Sequence, residues 1–300
     1  MKPKVLVIVG PTASGKSDLG VALAKKLLGE IVSADSRQVY KGLNHGTGKI
    51  IRSEMQGIPH HLLDIVSPKI QFTATQYREL ALKALREIVA RRKFPIIVGG
   101  TGFYIDTVTC GVLYPEVPPN KKLRDKLSKL SVEKLFDMLK AKDPNRASLI
   151  DSKNKVRLVR ALEIISTLGS VPKIKHVTPE YEFVFVGLNP KDLDERIERR
   201  LKKRLPKIIT EVKKLRSEGL TWKRLYELGL EYRYVSLHLR GVMNKKEMNM
   251  ELLKEIRKYA KRQMTWFKRN KSITWLPDGG NASLSTILKL LGQQKRVQPK

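Results

Sequence analysis

The stretch VLVIVGPTASGKSDLG, residues 5–20, decides the fold class of this chain. Its first part, residues 5–9, is a continuous apolar run rich in β-branched side chains, which is typical of a strand buried on both faces of a parallel sheet. Residues 10–17 then fit the pattern G-x-x-x-x-G-K-[ST] in full. In such a loop the backbone N–H groups converge on an anion, and the following helix N-terminus adds positive potential. The stretch therefore predicts a phosphate-binding loop between a buried strand and a helix.

This loop supplies candidate ligands for phosphate groups and for a metal ion. Lys16 offers a point charge, and the Ser17 hydroxyl is a candidate Mg²⁺ ligand. The predicted phosphate-binding residues are Gly10, Pro11, Thr12, Ala13, Ser14, Gly15, Lys16 and Ser17. Nucleotide hydrolases also place a Walker-B aspartate at the end of a core strand, but here the buried run 94–98 is followed by two glycines and a threonine. This difference disfavours a motor or ATPase and leaves open a small-molecule kinase that binds ATP.

Strand and helix patterns alternate further along the chain. Residues 31–34, 94–98 and 183–187 have the apolar character of core strands. Thr73 and Gln76 form a capping-box signature, which predicts that a helix begins there. The alternation predicts an α/β fold, namely a P-loop NTPase-like doubly wound parallel sheet with a helical insertion domain.

The same patterns divide the chain into a core and an insertion. The predicted ranges are 1–117 and 178–300 for the core domain and 118–177 for the helical insertion domain. In the core, long helices are predicted over 191–218 and 249–269, with a kink or break at Pro206. Residues 290–300 are interpreted as a frayed basic tail.

Two polar side chains follow predicted strands at the edge of the sheet where ligands bind. Asp35 comes after residues 31–34, and Thr101 comes after the buried run 94–98 and two glycines. Doubly wound sheets bind their ligands outside the carboxyl ends of the strands. Asp35 is therefore a candidate general base or metal-linked carboxylate, although an aspartate there could also cap a helix. The Thr101 hydroxyl is a candidate partner for a leaving phosphate, with a simple turn as the alternative.

Composition indicates a soluble cytoplasmic protein. The chain has 300 residues, of which 41% are hydrophobic, and this is enough for a packed core. We find no apolar run of membrane-spanning length and no signal peptide, and we therefore expect no membrane association. The single cysteine, Cys110, rules out an internal disulfide.

The charge of the chain indicates a polyanionic partner. There are 60 Lys and Arg residues against 29 Asp and Glu residues, for a net charge of +31. Residues 1–117 carry 16 basic and 9 acidic residues, whereas residues 118–300 carry 44 and 20. Nucleic acid is the obvious partner for such a distribution, and a general lysine bias is the alternative. Because most of the excess lies away from the phosphate loop in sequence, holding a small anion does not account for it.

Seven stretches together make the chain resemble the tRNA dimethylallyltransferases, also called tRNA isopentenyltransferases. In order, they are GPTASGKS (10–17), SADSRQVYKG (33–42), GIPHHLLDIVSP (57–68), IIVGGTGFYI (96–105), VRLVRALEI (156–164), DERIERRL (194–201) and YAKRQMTWFKR (259–269). The resemblance implies transfer of a dimethylallyl group from dimethylallyl diphosphate to an adenosine amine in tRNA. The acceptor would be the adenosine 3′ of the anticodon in tRNAs that read codons beginning with U.

The resemblance also implies roles for individual residues. Lys16 and Ser17 would neutralise the donor's diphosphate, directly and through Mg²⁺, with Asp35 and Thr101 as the catalytic pair. The residues expected to contact the tRNA anticodon arm are Asp35, Ser36, Arg37, Gln38, Thr101, Arg124, Val156, Arg157, Leu158, Val159, Arg160, Lys261, Arg262 and Gln263. The segment LGLEYRYVSL departs from the family pattern, because Leu230 and Glu231 stand between Gly229 and Tyr232. The role of Arg233 as a diphosphate ligand therefore depends on the resemblance alone.

The sequence therefore leaves three alternative functions open. The first is prenyl transfer to tRNA by a monomer. The second is a kinase that uses the loop for ATP. The third is an RNA-binding protein with a vestigial loop, which the intact set of polar residues disfavours.

Overall fold

The structure is a computed structural model that describes residues 2–173, 175–278 and 280–292. It divides into two compact units, residues 1–110 with 178–300 and residues 111–177. The sequence had placed the start of the insertion at residue 118. The division comes earlier because residues 112–113 pair with residues 175–176 in a small antiparallel sheet of the second unit.

The elements follow one another along the chain as strands and helices. The strands are β1 (Lys4–Val9), β2 (Gly29–Ser33), β3 (His60–His61), β4 (Phe94–Val98), β5 (Val112–Leu113), β6 (Lys175–His176), β7 (Glu182–Leu188) and β8 (Thr274–Leu276). The helices are α1 (Lys16–Leu27), α2 (Arg52–Met55), α3 (Ala74–Ala90), α4 (Gly102–Thr109), α5 (Lys121–Ser128), α6 (Val132–Lys142), α7 (Pro144–Leu149), α8 (Lys155–Leu168), α9 (Leu193–Ser217), α10 (Trp222–Leu228), α11 (Leu230–Leu239), α12 (Lys245–Phe267) and α13 (Asn281–Leu290). No helix in the described part of the chain is long and apolar enough to span a bilayer.

The first unit is built on a parallel sheet in the order β3-β2-β4-β1-β7-β8. The strand β1 lies inside it, with Leu6 opposite Ile96 of β4 and Val184 of β7. Parallel neighbours require crossover connections, and helices provide them here. The predicted α/β doubly wound class is confirmed. The phosphate loop lies at the carboxyl end of β1, beside the ends of β2 and β4.

Both faces of the sheet are covered, and this explains the unbroken apolar run of β1. Val5, Val7 and Val9 join one core cluster, which includes side chains of α3, α4, α9, α11 and α12. Leu6 and Ile8 join a second cluster with α1 and α13 on the other face. Side chains alternate across a strand, so a strand with helices on both sides must be apolar at every position.

Two expectations for the C-terminal part of the first unit need correction. Pro206 does not break α9, which continues to Ser217. Its buried residues Leu205 and Ile208 on either side pack into the same core cluster, and this burial offsets a cost of about 3 kcal/mol for proline inside a helix. The predicted tail begins later than residue 290, because Leu291 is buried against the sheet. Residues 293–300 lie outside the described residues.

The second unit consists of β5, β6 and the helices α5–α8. Its core is a separate apolar cluster that includes Leu135, Leu139 and Leu158. A buried carboxylate, Glu163, lies beside this core and accepts hydrogen bonds from the guanidinium of Arg124 at 2.7 Å through both oxygens. It also pairs with Arg160 and accepts the backbone N–H of Asn120. Burial would raise the pKa of Glu163, but these hydrogen bonds outweigh it and hold that pKa below its ordinary value.

Candidate active site

The phosphate loop has the backbone that an anion cradle requires. Gly10 adopts φ 144°, and Gly15 adopts φ 91° as the N-cap of α1. A Cβ at Gly10 would also collide with the carbonyl oxygen of Leu188 on β7. Gly10 is therefore needed both for its backbone conformation and for the space beside Leu188, and Gly15 is needed for its backbone conformation. The Nζ of Lys16 donates to the Pro11 carbonyl, which keeps the ammonium group inside the loop.

Asp35 follows β2 and is oriented by the chain that comes after it. Its Oδ1 accepts the backbone N–H groups of Arg37 at 2.8 Å and Gln38 at 3.3 Å. This is the capping geometry that we considered as the alternative role. It occupies one carboxylate oxygen, and no hydrogen bond to Oδ2 is found among the described residues. The carboxylate is thus held in place while one oxygen stays open to a ligand.

Thr101 follows β4 and joins its turn to the end of β2. Its backbone N–H donates to the Ala34 carbonyl at 3.1 Å, and its Oγ1 accepts the N–H of Ser36 at 3.0 Å. Asp35 lies between these two contacts in the chain. The two predicted catalytic residues are therefore held on adjacent strand ends, as their position in the sequence predicted.

A cavity of about 590 Å³ in the first unit has Lys16 and Asp35, but not Thr101, among the described residues that line it. It is lined by the phosphate loop, by residues 35–38 and by one side of the helices α9, α11 and α12. The α9 residues that line it are Arg196, Arg199, Arg200 and Arg204. Their spacing of three and four positions places them on one helix face. These arginines lie far from the phosphate loop in sequence, and the fold brings all four of them to the cavity that the loop lines.

Electrostatics in the cavity favour an anionic ligand. Burial lowers the pKa of Lys16 to about 7, with Asp35 opposing the shift and Arg200 adding to it. Burial and the neighbouring Arg204 also lower the pKa of Arg200. Desolvated cations that repel one another are stabilised when a polyanion binds between them. The cavity is therefore suited to a diphosphate.

The departure at residues 230–231 has a structural explanation. Gly229 and Leu230 both have positive φ values, 78° and 39°, and they place Glu231 at the start of α11 facing the cavity. Burial raises the pKa of Glu231, while its ion pair with Arg204 at 3.5 Å opposes the shift. Glu231 thus restrains one arginine of the cationic wall, a role that the sequence analysis missed.

A second carboxylate, Glu211 of α9, shapes the cavity from behind. It accepts the backbone N–H groups of Asn44, His45 and Gly46 at 2.9, 2.6 and 3.0 Å. It also accepts the hydroxyl of Tyr232 at 2.8 Å. These bonds hold the loop 44–48 against the cavity, where Gln38 donates to the Thr47 carbonyl at 3.4 Å.

The remaining predicted site residues of the first unit are divided between the cavity and other contacts. Arg233 lines the cavity, with its guanidinium 4.4 Å from the ring centroid of Tyr226 and its Nε donating to the Tyr226 carbonyl. Arg37 lines it as well and donates to the Leu228 carbonyl at 2.8 Å. Arg262 also faces the cavity, whereas Lys261 is exposed. Ser36 lines the cavity next to Asp35.

Tyr259 is a cavity residue that the sequence analysis missed. It lies one helical turn before Gln263 on α12 and lines the cavity. Burial raises the pKa of its hydroxyl, so the group stays protonated and can donate. The helical spacing with Gln263 was the available signal, because residues four apart share a face.

Two residues predicted to contact tRNA, Leu158 and Gln263, have buried side chains, and their contact with tRNA stays a prediction. Leu158 is fully buried in the core of the second unit. Gln263 is 6% exposed, and its amide bonds to two other segments of the first unit. Helical spacing alone could not separate these residues from their neighbours. On α8, Val156 is 79% exposed and Arg157 is exposed, whereas Val159 packs partly against the core.

Comparison with known proteins finds relatives over nearly the whole chain. The protein-family model described as IPP transferase matches residues 38–270. The chain is similar to the tRNA dimethylallyltransferase 2 of Citrifermentans bemidjiense, with 39% identity over 300 residues that cover 98% of this chain and 96% of the relative. It is also similar to the tRNA dimethylallyltransferase 1 of Geotalea uraniireducens, with 40% identity over 94% of this chain and 95% of the relative.

Solved structures agree with these sequence relatives. The crystal structure of the full-length tRNA isopentenylpyrophosphate transferase of Bacillus halodurans matches with a TM-score of 0.73 and 35% identity, over 97% of this chain and 96% of that chain. A eukaryotic dimethylallyltransferase, crystallised while acting on tRNA, matches with a TM-score of 0.79 and 26% identity, over 99% of this chain and 81% of that chain. With its phosphate loop, its strand-end aspartate and relatives of this similarity over almost its full length, the chain belongs to the tRNA dimethylallyltransferase family.

Proposed function

We propose that this protein transfers a dimethylallyl group from dimethylallyl diphosphate to the exocyclic amine of an adenosine in tRNA. The acceptor is the adenosine 3′ of the anticodon in tRNAs that read codons beginning with U, and the enzyme acts as a cytoplasmic monomer. One observation carries the proposal: the phosphate-loop lysine, a cationic wall and an oriented carboxylate line the same cavity. The resemblance of the motifs and the names of the relatives support the choice of donor and acceptor.

The reaction forms a bond between the adenine amine nitrogen and C1 of the dimethylallyl group as the bond from C1 to the diphosphate oxygen breaks. The electron pair of that bond leaves with the diphosphate, and the negative charge on its bridging oxygen grows. Lys16, the phosphate loop and the arginines of α9 line the cavity proposed to hold the diphosphate, and their charges and amides would stabilise that negative charge. Asp35 accepts the proton that the amine loses, so charge and atoms balance.

The acceptor adenine must leave the base stack to enter this cavity. Extrusion costs a few kcal/mol, and the cost is smaller in a loop than in a duplex. Contacts with the rest of the anticodon arm offset it, and the exposed Arg157 on α8 and Lys261 on α12 are suited to phosphate contacts. Ser36, Arg37 and Gln38 lie beside Asp35 and are proposed to face the extruded base.

Magnesium fits the phosphate loop as an ion shared with the substrate. Mg²⁺ is usually held by one or two protein groups together with substrate phosphates and water. The exposed Ser17 hydroxyl at the start of α1 can supply one such ligand. No cluster of three or more acidic, histidine or cysteine side chains suited to a metal is found within the described residues. The ion would neutralise part of the diphosphate charge.

A product assay tests the proposal directly. Purified protein is incubated with Mg²⁺, dimethylallyl diphosphate and a set of tRNAs that read codons beginning with U, and the digested nucleosides are analysed by mass spectrometry. We expect one dimethylallyl group on the adenosine 3′ of the anticodon. A parallel reaction with ATP as donor tests the kinase alternative. Phosphoryl transfer from ATP, or no prenylated nucleoside with any of these tRNAs, would refute the proposal.

The pKa of Lys16 predicts that the binding of a diphosphate takes up a proton. Because this pKa is about 7 in the empty cavity, most Lys16 side chains are neutral at pH 8. A bound diphosphate stabilises the ammonium form, so its pKa rises and a proton enters. We expect wild-type protein to take up about one proton more than Lys16→Arg when inorganic pyrophosphate binds at pH 8, since arginine stays charged. The difference should fall close to zero at pH 6.

Isothermal titration calorimetry in buffers of different ionisation enthalpy measures this uptake. Pyrophosphate itself titrates in this range, and the difference between the two proteins removes that contribution. Equal proton uptake by wild type and Lys16→Arg at pH 8 would show that Lys16 is already charged in the empty cavity.

A further inference from the structure

Gln263 of α12 connects two segments that are distant in sequence and adjacent to the reacting groups. Its Oε1 accepts the backbone N–H of Thr12 in the phosphate loop at 2.8 Å. Its Nε2 donates to the carbonyl of Gly100, in the turn after β4, also at 2.8 Å. The side chain is buried, so solvent does not compete for either bond.

We propose that Gln263 is a positioning residue for the diphosphate half of the reaction. It holds the phosphate loop in register with the turn that carries Thr101. This inference deepens the proposed function and rests on it for the identity of the donor. It replaces the tRNA contact that resemblance implied for Gln263, because both ends of the amide are bonded to backbone groups of the first unit that line the cavity.

The phosphate loop needs such a restraint near Thr12. The next residue, Ala13, has φ 64°, a left-handed conformation that is unfavourable for a residue with a Cβ atom. Residues in this region persist only where surrounding contacts determine them. The bond from the Thr12 N–H to Gln263 is such a contact. Without it, the loop amides would lose the fixed orientation that lets them converge on phosphate oxygens.

The turn after β4 is shaped to receive the Gln263 amide. A Cβ on Gly100 would collide with the Nε2 of Gln263, and one on Gly102 would collide with the indole of Trp266. Trp266, three residues further along α12, donates from Nε1 to the Asp106 carboxylate at 3.0 Å. One face of α12 therefore packs on both glycines that flank Thr101. Gly100 does not have a positive φ, so space rather than conformation explains this glycine.

Gln263 therefore helps to set the distance between the phosphate loop, which is proposed to hold the leaving diphosphate, and the proposed base Asp35. Thr101 holds Ser36, and Ser36 follows Asp35 in the chain. A chain of contacts thus leads from Thr12 through Gln263 and Gly100 to the catalytic pair. Misplacing reacting groups by about 1 Å can lower a rate by about a hundredfold. Loss of the amide should therefore affect steps that involve the diphosphate and leave tRNA affinity unchanged.

Three substitutions test the two bonds, and one of them, Gln263→Glu, separates the bond to Thr12 from the bond to Gly100. Gln263→Met keeps the length of the side chain and removes both bonds. Gln263→Glu keeps an acceptor for the Thr12 N–H but sets a carboxylate against the Gly100 carbonyl. Gly100→Ala leaves Gln263 in the chain and displaces its amide. The control is Thr265→Val, because Thr265 is exposed on the same helix and, within the described residues, its hydroxyl bonds only to the Lys261 carbonyl in its own helix.

Three measurements are made on each variant. Calorimetry with inorganic pyrophosphate and Mg²⁺ gives the pyrophosphate Kd, filter binding with a tRNA transcript gives the tRNA Kd, and steady-state kinetics gives the KM for dimethylallyl diphosphate. For Gln263→Met we expect the pyrophosphate Kd and the KM for dimethylallyl diphosphate to rise by about tenfold to a hundredfold. The tRNA Kd should stay within about twofold, and Thr265→Val should match wild type in every measurement. Gly100→Ala should reproduce the rise in the pyrophosphate Kd. The double variant of Gly100→Ala with Gln263→Met should have the same Kd as Gln263→Met alone, since both substitutions remove the Gln263 link between the phosphate loop and the turn after β4.

Other outcomes would overturn the inference. A weaker tRNA Kd with unchanged pyrophosphate binding would make Gln263 a tRNA contact. Unchanged values for both ligands would reduce it to a packing residue. If Gln263→Met does not fold, Gln263→Glu and Gly100→Ala decide the question, because their Kd values for pyrophosphate and for tRNA can be compared with those of wild type in the same way. Pyrophosphate binding does not depend on prenyl transfer, so a wild type without transferase activity would refute the proposed function and still allow this test.

Discussion

Replacing Asp35 with asparagine is expected to lower the rate of prenyl transfer by about 10²–10⁴-fold, the usual contribution of a general base. Asparagine has nearly the shape of aspartate, and its carbonyl oxygen can still accept the N–H groups of Arg37 and Gln38 that hold Asp35 in place. The fold and the tRNA affinity should therefore stay close to those of wild type. The amide cannot take a proton from the adenine amine, so the loss falls on the chemical step.

Single-turnover kinetics with saturating enzyme measures this step without a contribution from binding. Asp35 helps to keep Lys16 charged, and donor affinity should therefore be compared below pH 7, where Lys16 carries a proton in the wild type. The matched control is Glu79→Gln, a carboxylate-to-amide change at an exposed position of α3. A rate for Asp35→Asn within about threefold of wild type would show that Asp35 acts through its capping bonds rather than as a base.

Replacing Lys16 with methionine is expected to lower kcat/KM for dimethylallyl diphosphate by at least about 10²–10³-fold, as is typical when one donor to a developing anion is removed. Methionine keeps the aliphatic stem and removes the charge that meets the diphosphate. The turnover number should fall as well as the donor affinity, because the charge on the bridging oxygen grows as the bond to C1 breaks. The tRNA affinity should not change.

The same substitution is expected to make the ligand-free protein more stable. The pKa of Lys16 is lowered from 10.5 to about 7, so the unfolded chain binds this proton more tightly than the folded protein does. The resulting penalty on folding is complete below pH 7, shrinks as the pH rises, and is gone above pH 10.5. Lys16→Met removes the penalty, so at pH 7 its Tm without ligand should be at or above that of wild type.

Thermal shift assays at pH 7 with and without pyrophosphate separate these effects. Pyrophosphate should raise the Tm of wild type, since a ligand that binds only the folded state stabilises it. It should leave the Tm of Lys16→Met nearly unchanged. A donor affinity within about threefold of wild type for Lys16→Met would contradict the assignment of this loop to the diphosphate.

Much of the fold followed from local patterns. The continuous apolar strands, the capping box at Thr73 and Gln76, and the complete phosphate-loop pattern predicted the α/β class and the position of the loop, and the structure confirms both. The family prediction was likewise confirmed. Strands at the sheet edge were missed, because the two residues of β3 and the three of β8 are too few for a periodic pattern.

Local patterns did not show which side chains of a helix are buried. A kink or break was expected at Pro206, but α9 does not break there, because local propensity is overridden where the residues on both sides are buried in one core. Leu158 and Gln263 lie in charged, motif-rich helices, and nothing local marks them as buried. A helical repeat shows which positions share a face, but it does not identify the element against which that face packs.

The sequence by itself determined the class of fold, the phosphate loop, the strand-end Asp35 and Thr101, and the family, because each depends on residues that are neighbours in the chain. Only the tertiary structure decided that the arginines of α9 face the phosphate loop, that Glu231 restrains one of them, and that Gln263 joins Thr12 to Gly100 across 251 and 163 positions. These contacts depend on how each helix is rotated and seated on the sheet. Packing of the whole core sets that rotation, and no short segment contains the information.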